Sequence, residues 1–244
     1  MNCKVSVCMA SFNGSKFILK QVESILSQLG NNDELIISDD GSTDKTLEII
    51  NNLNDNRIKI FNHKYNKKKP KICKSSYFAT ANFENALLKS TGKYIFLSDQ
   101  DDIWMPNKVQ ETISLLKKKP CSLIISNLTV INENDKIIQR NPQIIKLSFI
   151  KGLIKCKYHG GAIAFDRDFL KKSLPFPDKI VSHDNWLGLL ASFQNRLFVL
   201  NKPLLLYRRH GNNVTWDVKN PLWFKIYYRL YYFYSTLKRT YSKN

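Results

Sequence analysis

Three aspartates fall within four positions in the segment FLSDQDDIW, residues 96–104. Carboxylates this close repel one another unless a cation or a proton lies between them. Because alternate residues of an Asp-x-Asp turn can point the same way, Asp99 and Asp101 are predicted to converge on one metal ion. Mg²⁺ or Mn²⁺ fits this donor set, since both take oxygen ligands. For Asp102 a second interpretation stays open, as a turn residue or as the cap of the following helix.

A second acidic pair, Asp39 and Asp40, lies in the segment DDGSTD. Asp and Gly are common in turns, so this pair has a purely structural interpretation. A carboxylate at this point could equally accept a hydrogen bond from a base imide or a ribose hydroxyl. Both interpretations stay open on the residues alone.

The elements that position these carboxylates alternate between strands and helices. Short apolar runs predict strands at residues 4–10, 34–40, 57–61 and 93–98. The spacing of Ile18, Val22 and Ile25 predicts the first intervening helix, and Ser42 is expected to cap the second. This order predicts an α/β fold with a mostly parallel central sheet, whose ligand crevice lies beyond the carboxyl ends of the strands. The polar clusters all fall at that edge.

The second half of the chain is less regular. Strands are predicted at 122–132 and 160–165, a helix at 184–193 and a proline-interrupted strand at 196–210. The stretch from 133 to 157 is mixed and holds either a short helix or a flap. Two glycines begin the strand at 160–165, where a ligand could approach the backbone closely. No repeat or linker divides the chain, which favours one domain.

The 244 residues carry a formal net charge of +18, from 38 basic and 20 acidic side chains. This charge favours anionic partners, namely nucleic acid, acidic phospholipid or phosphorylated small molecules. The five cysteines form no CxxC pair, so neither a zinc site nor a disulfide framework is indicated. The sequence shows no apolar stretch long enough to span a membrane and no signal-peptide pattern, so a cytoplasmic location is expected.

Three segments together resemble the family 2 glycosyltransferases of the GT-A fold. They are VSVCMASFNGSKFILKQVESILSQ, ELIISDDGSTDKTLEII and FLSDQDDIWMPNKV, with weaker likeness in GGAIAF, SHDNWLGLLA and YRRHGNNVT. The resemblance is close over about the first 110 residues. It implies one GT-A domain at 1–220, with a nucleotide-binding half at 1–110 and an acceptor half at 111–220.

The resemblance implies an inverting transfer of a sugar from a nucleotide-diphosphate donor. Carried over by position, Asp39 would meet the pyrimidine and Asp40 would support that loop. Asp99 would face the ribose or the metal, and Asp101 would hold Mn²⁺ or Mg²⁺ against the diphosphate, where the metal neutralises the leaving group. The remaining residues expected to line the nucleotide pocket are Ala10, Ser11, Asn13 and Asn82.

An inverting reaction needs a general base, because the acceptor hydroxyl must lose its proton as it attacks. In the family this base is a carboxylate at a helix start, and the matching segment here is SHDNW. We therefore expect Asp184 to be the base, with the helix N-cap as its structural alternative. His183 stands where the family often has an acidic residue. His183, Trp186 and Gly161 are expected to contact substrate.

The segment RRHGNN supplies two more expected site residues. By resemblance, His210 would complete the metal shell or contact the diphosphate, although a lone histidine is also commonly structural. Arg208 would bind phosphate oxygens through its planar donor fork. Where many family members have an Arg-Asn pair, this chain keeps only Asn82. Either the basic loop at 67–74 substitutes for that arginine, or the nucleotide is gripped differently.

The form SDQDDIW is similar to rhamnosyltransferases and hexosyltransferases of bacterial O-antigen or capsule assembly. This likeness implies dTDP-rhamnose or a UDP-hexose as donor and a saccharide, expected to be linked to a polyprenyl diphosphate, as acceptor. Two alternatives remain from the residues alone. A nucleotidyltransferase would share the fold and acidic ligands, but SFNGSK is a poor phosphate loop. A nucleic-acid-binding protein would explain the charge but not the acidic cluster.

The segment 221–244, PLWFKIYYRLYYFYSTLKRTYSKN, interleaves aromatic residues with Lys and Arg. As a helix it suits a membrane interface, where aromatic rings and basic side chains meet anionic headgroups. The alternative is a helix packed on the domain or a contact in a homodimer. The net charge and a lipid-linked acceptor favour the first interpretation, with the protein peripheral at the inner face of the cell membrane.

Overall fold

The computed structural model describes residues 4–63, 74–140, 148–154, 158–211, 213 and 221–242. The basic loop at 67–74, one of the two alternatives for the missing arginine, lies outside these ranges apart from its last residue. Two parts of the mixed stretch from 133 to 157 also lie outside them, at 141–147 and 155–157.

The first half consists of alternating strands and helices, as the apolar pattern predicts. Its elements are β1 (Val5–Ser11), α1 (Ile18–Leu26), β2 (Glu34–Asp39), α2 (Thr46–Asn51), β3 (Ile58–Asn62), α3 (Lys74–Lys89) and β4 (Tyr94–Ser98). Every residue of β2 and β4 is buried. Strands covered on both faces read as continuous apolar runs, which is why these segments were recognisable from the sequence.

The second half contains short elements that were not predicted from the sequence, such as β5 and α6. Its elements are β5 (Ile103–Trp104), α4 (Lys108–Lys118), β6 (Leu123–Asn132), β7 (Ile137–Gln139), α5 (Phe149–Ile154), β8 (Ile163–Asp166), α6 (Arg167–Ser173), α7 (His183–Phe193), β9 (Leu197–Arg209) and α8 (Leu222–Tyr241). A 3₁₀ turn at Gly160–Ala162 precedes β8. The mixed stretch thus contains both a strand, β7, and a short helix, α5.

One sheet contains all these strands in the order β3-β2-β1-β4-β8-β6-β9-β5, with β7 paired to β6. The strands β3, β2, β1 and β4 are parallel, and their register places Ser11 opposite Asp39 and Met9 opposite Ser98. Their carboxyl ends therefore form one edge, and the α/β fold with a mostly parallel central sheet is confirmed.

Two later strands return to the same edge. β8 runs antiparallel to β4, so the glycine turn before β8 lies beside the carboxyl end of β4. β5 pairs antiparallel with β9, with Ile103 opposite Leu206, which brings the end of β9 next to the acidic segment before β5. Sheet topology thereby joins residues that are 62 and 109 positions apart in sequence.

The expected cap of α2 is wrong. Ser42 does not cap the helix; its hydroxyl donates to Asp39 Oδ2 (2.6 Å) and accepts from the Asn13 N–H (2.9 Å). Asp44 instead accepts from the Thr46 N–H (3.0 Å), and α2 begins at Thr46. Ser42 thereby connects the loop after β1 to the loop after β2.

The C-terminal helix α8 packs on the domain through one face. Phe224, Tyr228 and Tyr232 are buried against α5 and α7. The opposite face exposes large apolar side chains: Leu222, Trp223, Ile226, Leu230 and Tyr234. Within the residues the structure describes, no helix is long and apolar enough to cross a membrane.

Candidate active site

Asp39 organises the loop after β2 instead of facing an open pocket. Its side chain is fully buried and accepts from the N–H groups of Gly41 (3.0 Å) and Ser42 (2.7 Å) through Oδ1. Its Oδ2 accepts from the Ser11 hydroxyl (2.7 Å) and from the Ser42 hydroxyl. Asp39 accepts four hydrogen bonds and thereby holds the DDGS turn in place, as its interpretation as a turn residue predicts.

The other predicted nucleotide residues lie around this turn. Asn13 Oδ1 accepts from the Thr43 N–H (2.8 Å), which ties the loop after β1 to the loop after β2. Asn82 is buried and donates to the Ser11 carbonyl (3.2 Å). Asp40 is partly exposed and lies 3.1 Å from His63 Nδ1. Ala10, half-buried, is the penultimate residue of β1.

Asp99 meets the glycine turn across the edge of the sheet. Its Oδ2 accepts from the Gly161 N–H (3.2 Å). A Cβ on Gly161 would lie 2.7 Å from Asp102 Oδ2 and 3.4 Å from Asp99 Oδ2, so only glycine allows the backbone this close to both carboxylates. Burial, and after it the negative charges of Asp101 and Asp184, raises the pKa of Asp99 to about 7.

Asp101 and His210 form a pair across the end of β9. His210 Nε2 lies 2.7 Å from Asp101 Oδ2, and the Asn213 amide donates to the same oxygen (3.1 Å). Asn213 also accepts from the His210 N–H through Oδ1 (2.6 Å), which holds the histidine backbone in place. The two residues that were predicted to share a metal thus lie in direct contact.

Asp102 is fully buried beneath the other two aspartates. Its Oδ1 accepts from the Arg208 N–H (2.9 Å), while among the described residues Oδ2 has no hydrogen-bond partner. Burial and the neighbouring carboxylates raise the pKa of Asp102 well above its usual range. Lys108, also buried, donates to the Gly161 carbonyl (3.0 Å), and burial lowers its pKa to about 7. Asp102 therefore acts as a buried support that binds the backbone of β9 at Arg208.

The donor set fits a hard divalent cation. Asp99 and Asp101 offer carboxylate oxygens, and His210, in contact with Asp101, offers an imidazole nitrogen. Burial is the main cause of the raised pKa of Asp99 and the negative charge of Asp101 adds to it; a bound cation would relieve that repulsion. Among the described residues, no group of three or more His, Cys, Asp or Glu side chains is arranged to hold a metal ion, so Asp99, Asp101 and His210 do not by themselves converge on one point. Diphosphate and water oxygens would have to supply the other ligands.

Asp184 occupies the first turn of α7, as expected for the predicted base. Its Oδ1 accepts from the Ser182 hydroxyl and from the Asn185 N–H (2.7 Å). Burial raises the pKa of Asp184 to about 6, despite these hydrogen bonds. The negative charge of Asp184 also contributes to the raised pKa of Asp99, after burial and the charge of Asp101.

His183 is a packed residue with one nitrogen directed at the glycine turn. Its ring stacks on Phe83 with centroids 3.9 Å apart. A Cβ on Gly160 would lie 3.0 Å from His183 Nε2. Burial lowers the pKa of His183 to about 3, so the imidazole is neutral at ordinary pH. It therefore adds no positive charge beside Asp184.

The expected substrate contact by Trp186 is wrong. Trp186 is fully buried in the core, and its indole N–H donates to the Ser173 carbonyl (3.0 Å). It lies two residues beyond Asp184 on α7, and this offset points it away from the crevice, towards α6. The sequence at the start of α7 does not indicate which of its side chains point into the core.

Replacing Trp186 by alanine is expected to cost about 3–5 kcal/mol of unfolding free energy, because it empties a large buried site. Denaturant unfolding measures this change. The milder Trp186→Phe variant keeps most of the packing and should retain the acceptor KM of the wild type. A raised acceptor KM in Trp186→Phe with unchanged stability would contradict the core assignment.

The expected phosphate contact by Arg208 is also wrong. Its side chain is 1% exposed, and Nε donates to the Asp101 carbonyl (2.7 Å). Its Nη1 donates to the Asn132 carbonyl (3.1 Å) and pairs with Asp135. These bonds connect the acidic segment 99–102 to the end of β6. The exposed neighbour, Arg209, is the arginine of this strand end that solvent can reach.

Three further residues shape the site without having been singled out from the sequence. Gln100 donates to the Phe12 carbonyl (2.9 Å) and accepts from the Phe12 N–H (2.9 Å), which links the acidic segment 99–102 to the loop after β1. Lys108 lies at the start of α4, and its position in the sequence does not indicate that it is buried. Asn213 belongs to the polar segment RRHGNN after β9, and the sequence does not indicate its contact with Asp101.

A cavity of about 340 Å³ opens beside Asp184. It lies between α5, α7 and α8, and its lining includes Tyr158, Lys225 and Arg229. Tyr232, on the same wall, donates from its hydroxyl to the Ser182 carbonyl (3.2 Å). The C-terminal helix therefore borders this cavity and also supports the segment just before the predicted base.

Known proteins share this sequence pattern over most of the chain. A sequence model of the family described as Glycosyl transferase family 2 matches residues 6–197. WfgD of Escherichia coli, a UDP-Glc:alpha-D-GlcNAc-diphosphoundecaprenol beta-1,3-glucosyltransferase, is 30% identical over 96% of this chain and 94% of its own length. WfaP of Escherichia coli, which bears the same functional name, is 32% identical over 77% of this chain and 70% of its own length.

Solved structures share the fold. TarS of Staphylococcus aureus in complex with UDP superposes with a TM-score of 0.70 at 17% identity, over 96% of this chain and 65% of the TarS chain. Its complex with UDP-GlcNAc gives a TM-score of 0.68 at 18% identity, over 98% of this chain and 73% of that one. The family match decides between the alternatives that the residues left open. This chain is a glycosyltransferase and belongs to glycosyl transferase family 2.

Proposed function

We propose that this enzyme transfers a hexose, with inversion, from a UDP-sugar to a hydroxyl of a saccharide carried on a polyprenyl diphosphate. The observation that carries the proposal is the position of Asp184: this half-buried carboxylate of α7 lines a cavity, and burial raises its pKa to about 6. The functional names of the relatives WfgD and WfaP support UDP-glucose as donor and an acceptor of the GlcNAc-diphospholipid class.

The donor is proposed to lie along the carboxyl edge of β1, β2 and β4. The loops after β1 and β2, held by Asn13 and Asp39, would receive the nucleoside. Partly exposed Asp40 is then better placed than buried Asp39 to contact the base. Of the two donors expected from the sequence, UDP-hexose is favoured over dTDP-rhamnose because both relatives are named for UDP-Glc.

Asp99, Asp101 and His210 are proposed to hold Mn²⁺ or Mg²⁺. When bound, the cation would neutralise the diphosphate that leaves as the glycosidic bond breaks. The chain's own contribution is to keep two carboxylates and an imidazole together before substrate arrives. Asn213 and the Gly161 N–H hold these side chains in place through bonds of 3.1 and 3.2 Å.

Asp184 is proposed to act as the general base. It accepts the proton of the acceptor hydroxyl as that oxygen bonds to the anomeric carbon, and the nucleoside diphosphate departs from the opposite face. Ser182 and the Asn185 N–H occupy Oδ1, which leaves Oδ2 for the hydroxyl. A pKa near 6 keeps this carboxylate ionised at neutral pH while retaining some basicity.

A donor panel tests the proposed reaction. Purified enzyme with Mn²⁺ and a synthetic GlcNAc-diphospholipid is expected to release UDP from UDP-glucose and to form a β-linked disaccharide, identified by NMR. UDP-galactose, UDP-GlcNAc and dTDP-rhamnose serve as competitors. Faster transfer from dTDP-rhamnose would overturn the donor assignment, and an α-linked product would overturn inversion.

The exposed face of α8 is proposed to rest on an anionic membrane surface. Leu222, Ile226 and Leu230 repeat every four residues and are 48–70% exposed. An apolar stripe of this kind, with cations interspersed along the same helix, suits the headgroup region of a bilayer.

The double variant Ile226→Ser with Leu230→Ser tests this membrane contact. It should lower sedimentation with phosphatidylglycerol vesicles, because two apolar side chains of the stripe are lost. The control is Leu88→Ser, which replaces an exposed leucine on α3 and should leave sedimentation unchanged. Equal sedimentation of both variants and the wild type would reject the contact.

A further inference from the structure

Two cations of α8 stand at the wall of the cavity beside Asp184. Lys225 and Arg229 are four residues apart, so they lie on the same face of the helix. The helix Leu222–Tyr241 contains four Lys or Arg residues and no Asp or Glu. The positive charge at the cavity is therefore not neutralised from within the helix.

Arg229 is held in a fixed position by the end of α5. Its Nε donates to the Leu153 carbonyl (3.0 Å) and its Nη2 to the Ile154 carbonyl (3.0 Å). These carbonyls belong to the last turn of a helix, where backbone acceptors lack intrahelical partners. The third nitrogen, Nη1, donates to no residue that the structure describes. Lys225 likewise makes no side-chain hydrogen bond or ion pair within the described residues.

An aromatic surface continues from these cations to Asp184. Tyr158 lines the cavity, and its ring fits only because α7 has glycine at 188: a Cβ there would lie 2.4 Å from the ring. Tyr228 and Tyr232 of α8 complete the wall. Flat aromatic faces flanked by a carboxylate at one end and cations at the other match a sugar bearing a phosphate group.

We propose that Lys225 and Arg229 bind the diphosphate of the lipid-linked acceptor, with its first sugar against Tyr158 and the accepting hydroxyl at Asp184. This inference rests on the proposed function and assigns the acceptor half of the same site. A cavity of about 340 Å³ suits a single sugar with its phosphate, since ligand cavities begin at roughly 300 Å³. The lipid chain would leave along the apolar face of α8.

The position of the cations also gives a reason for the cavity to select diphosphate-linked saccharides. The donor's diphosphate is assigned to the cation that Asp99, Asp101 and His210 are proposed to hold, whereas the cavity is lined by other residues. A second anionic group in the ternary complex needs separate cations, and α8 supplies them. A neutral glycoside would fill the sugar position but leave Lys225 without a partner.

Binding of two soluble probes tests the inference without requiring turnover. The probes are decyl diphosphate-linked α-GlcNAc and decyl α-GlcNAc, which differ only in the diphosphate. Isothermal titration of Lys225→Ala should show at least about tenfold weaker binding of the first probe, equivalent to about 1.4 kcal/mol. Binding of the second probe and of UDP with Mn²⁺ should not change. Lys238→Ala, which removes a cation from the far end of the same helix, should match wild type with both probes.

Two outcomes would overturn the inference. Equal loss of both probes in Lys225→Ala would mean that the lysine acts on the sugar or on the fold. Unchanged binding of the diphosphate probe, with weaker sedimentation on phosphatidylglycerol vesicles, would assign Lys225 to a lipid headgroup. Failure of the proposed function shows separately, as the absence of transfer from UDP-glucose by wild type, while the probe difference is measured on the same protein.

Discussion

Asp184→Asn is expected to lower kcat by about 10²–10⁴-fold, the usual contribution of a general base. The amide keeps the shape of the side chain and can still accept from the Asn185 N–H, so the fold should survive. It cannot accept a proton at neutral pH. Steady-state transfer from UDP-glucose, with UDP binding measured separately, checks this expectation.

Asp168→Asn is the matched control, because Asp168 is an exposed carboxylate in the first turn of another helix, α6. It should have wild-type kcat. Transfer by Asp184→Asn at the wild-type rate would remove Asp184 from catalysis. A rise in acceptor KM with kcat unchanged would instead make it a binding residue.

The pH dependence of kcat/KM should report the ionisation of Asp184. Burial raises the pKa of Asp184 to about 6, so the base loses its negative charge as pH falls through that value. We expect kcat/KM to be level above about pH 7 and to fall about tenfold per unit well below pH 6. Asp184 lines the cavity together with Lys225 and Arg229, and its charge also contributes to the raised pKa of Asp99.

A profile that stays level down to pH 5 would contradict this assignment. Lys225→Ala provides an internal check, because removing a nearby cation should raise the pKa of Asp184 and move the acid limb towards higher pH. His183 stays neutral over this range, since burial holds its pKa near 3.

Asp101→Asn is expected to abolish the stabilisation of the enzyme by UDP that depends on Mn²⁺. The carboxylate is in contact with His210 at 2.7 Å and is the centre of the donor set. Loss of the anionic ligand should also reduce transfer by at least about 10²-fold, because the leaving diphosphate then lacks several kcal/mol of charge stabilisation. Thermal unfolding with UDP, with and without Mn²⁺, measures the first effect directly.

His210→Ala should have a smaller effect, about 10-fold on the apparent affinity for Mn²⁺, because two carboxylates remain. Asp168→Asn again serves as control and should keep the full response to metal. If Asp101→Asn retained the Mn²⁺-dependent shift, the cation would be held elsewhere and this donor set would be rejected.

Most of the nucleotide half could be predicted from local sequence. The apolar runs of β1, β2 and β4 are buried on both faces, so their strands stand out, and the residue after a strand marks the crevice. Asp39 and Asp99 were found at the ends of their strands on this basis, whereas Asp184 was assigned by its resemblance to the family's segment at a helix start. Spacing does not record exposure, and for that reason buried Asp39 and partly exposed Asp40 could not be told apart.

The wrong expectations came from side chains whose orientation depends on packing. Arg208 alternates with its neighbours along β9, and only the position of β6 and the acidic loop decides that it points inward. Trp186 follows Asp184 by two positions on a helix, so the two residues face different directions. Neither orientation is encoded within the local segment.

The sequence by itself determined the family, the α/β order and the edge at which the carboxylates gather. The family was inferred from the resemblance of several short segments to known members. The α/β order and the edge follow from short-range periodicity and from residue types at strand ends, which can be read within a few positions. The tertiary structure decided which distant residues meet. The contact between Asp101 and His210 joins positions 109 residues apart, and the cavity at Asp184 exists only because α8 packs on α5 and α7. Such contacts depend on the path of the whole sheet, which no local pattern specifies.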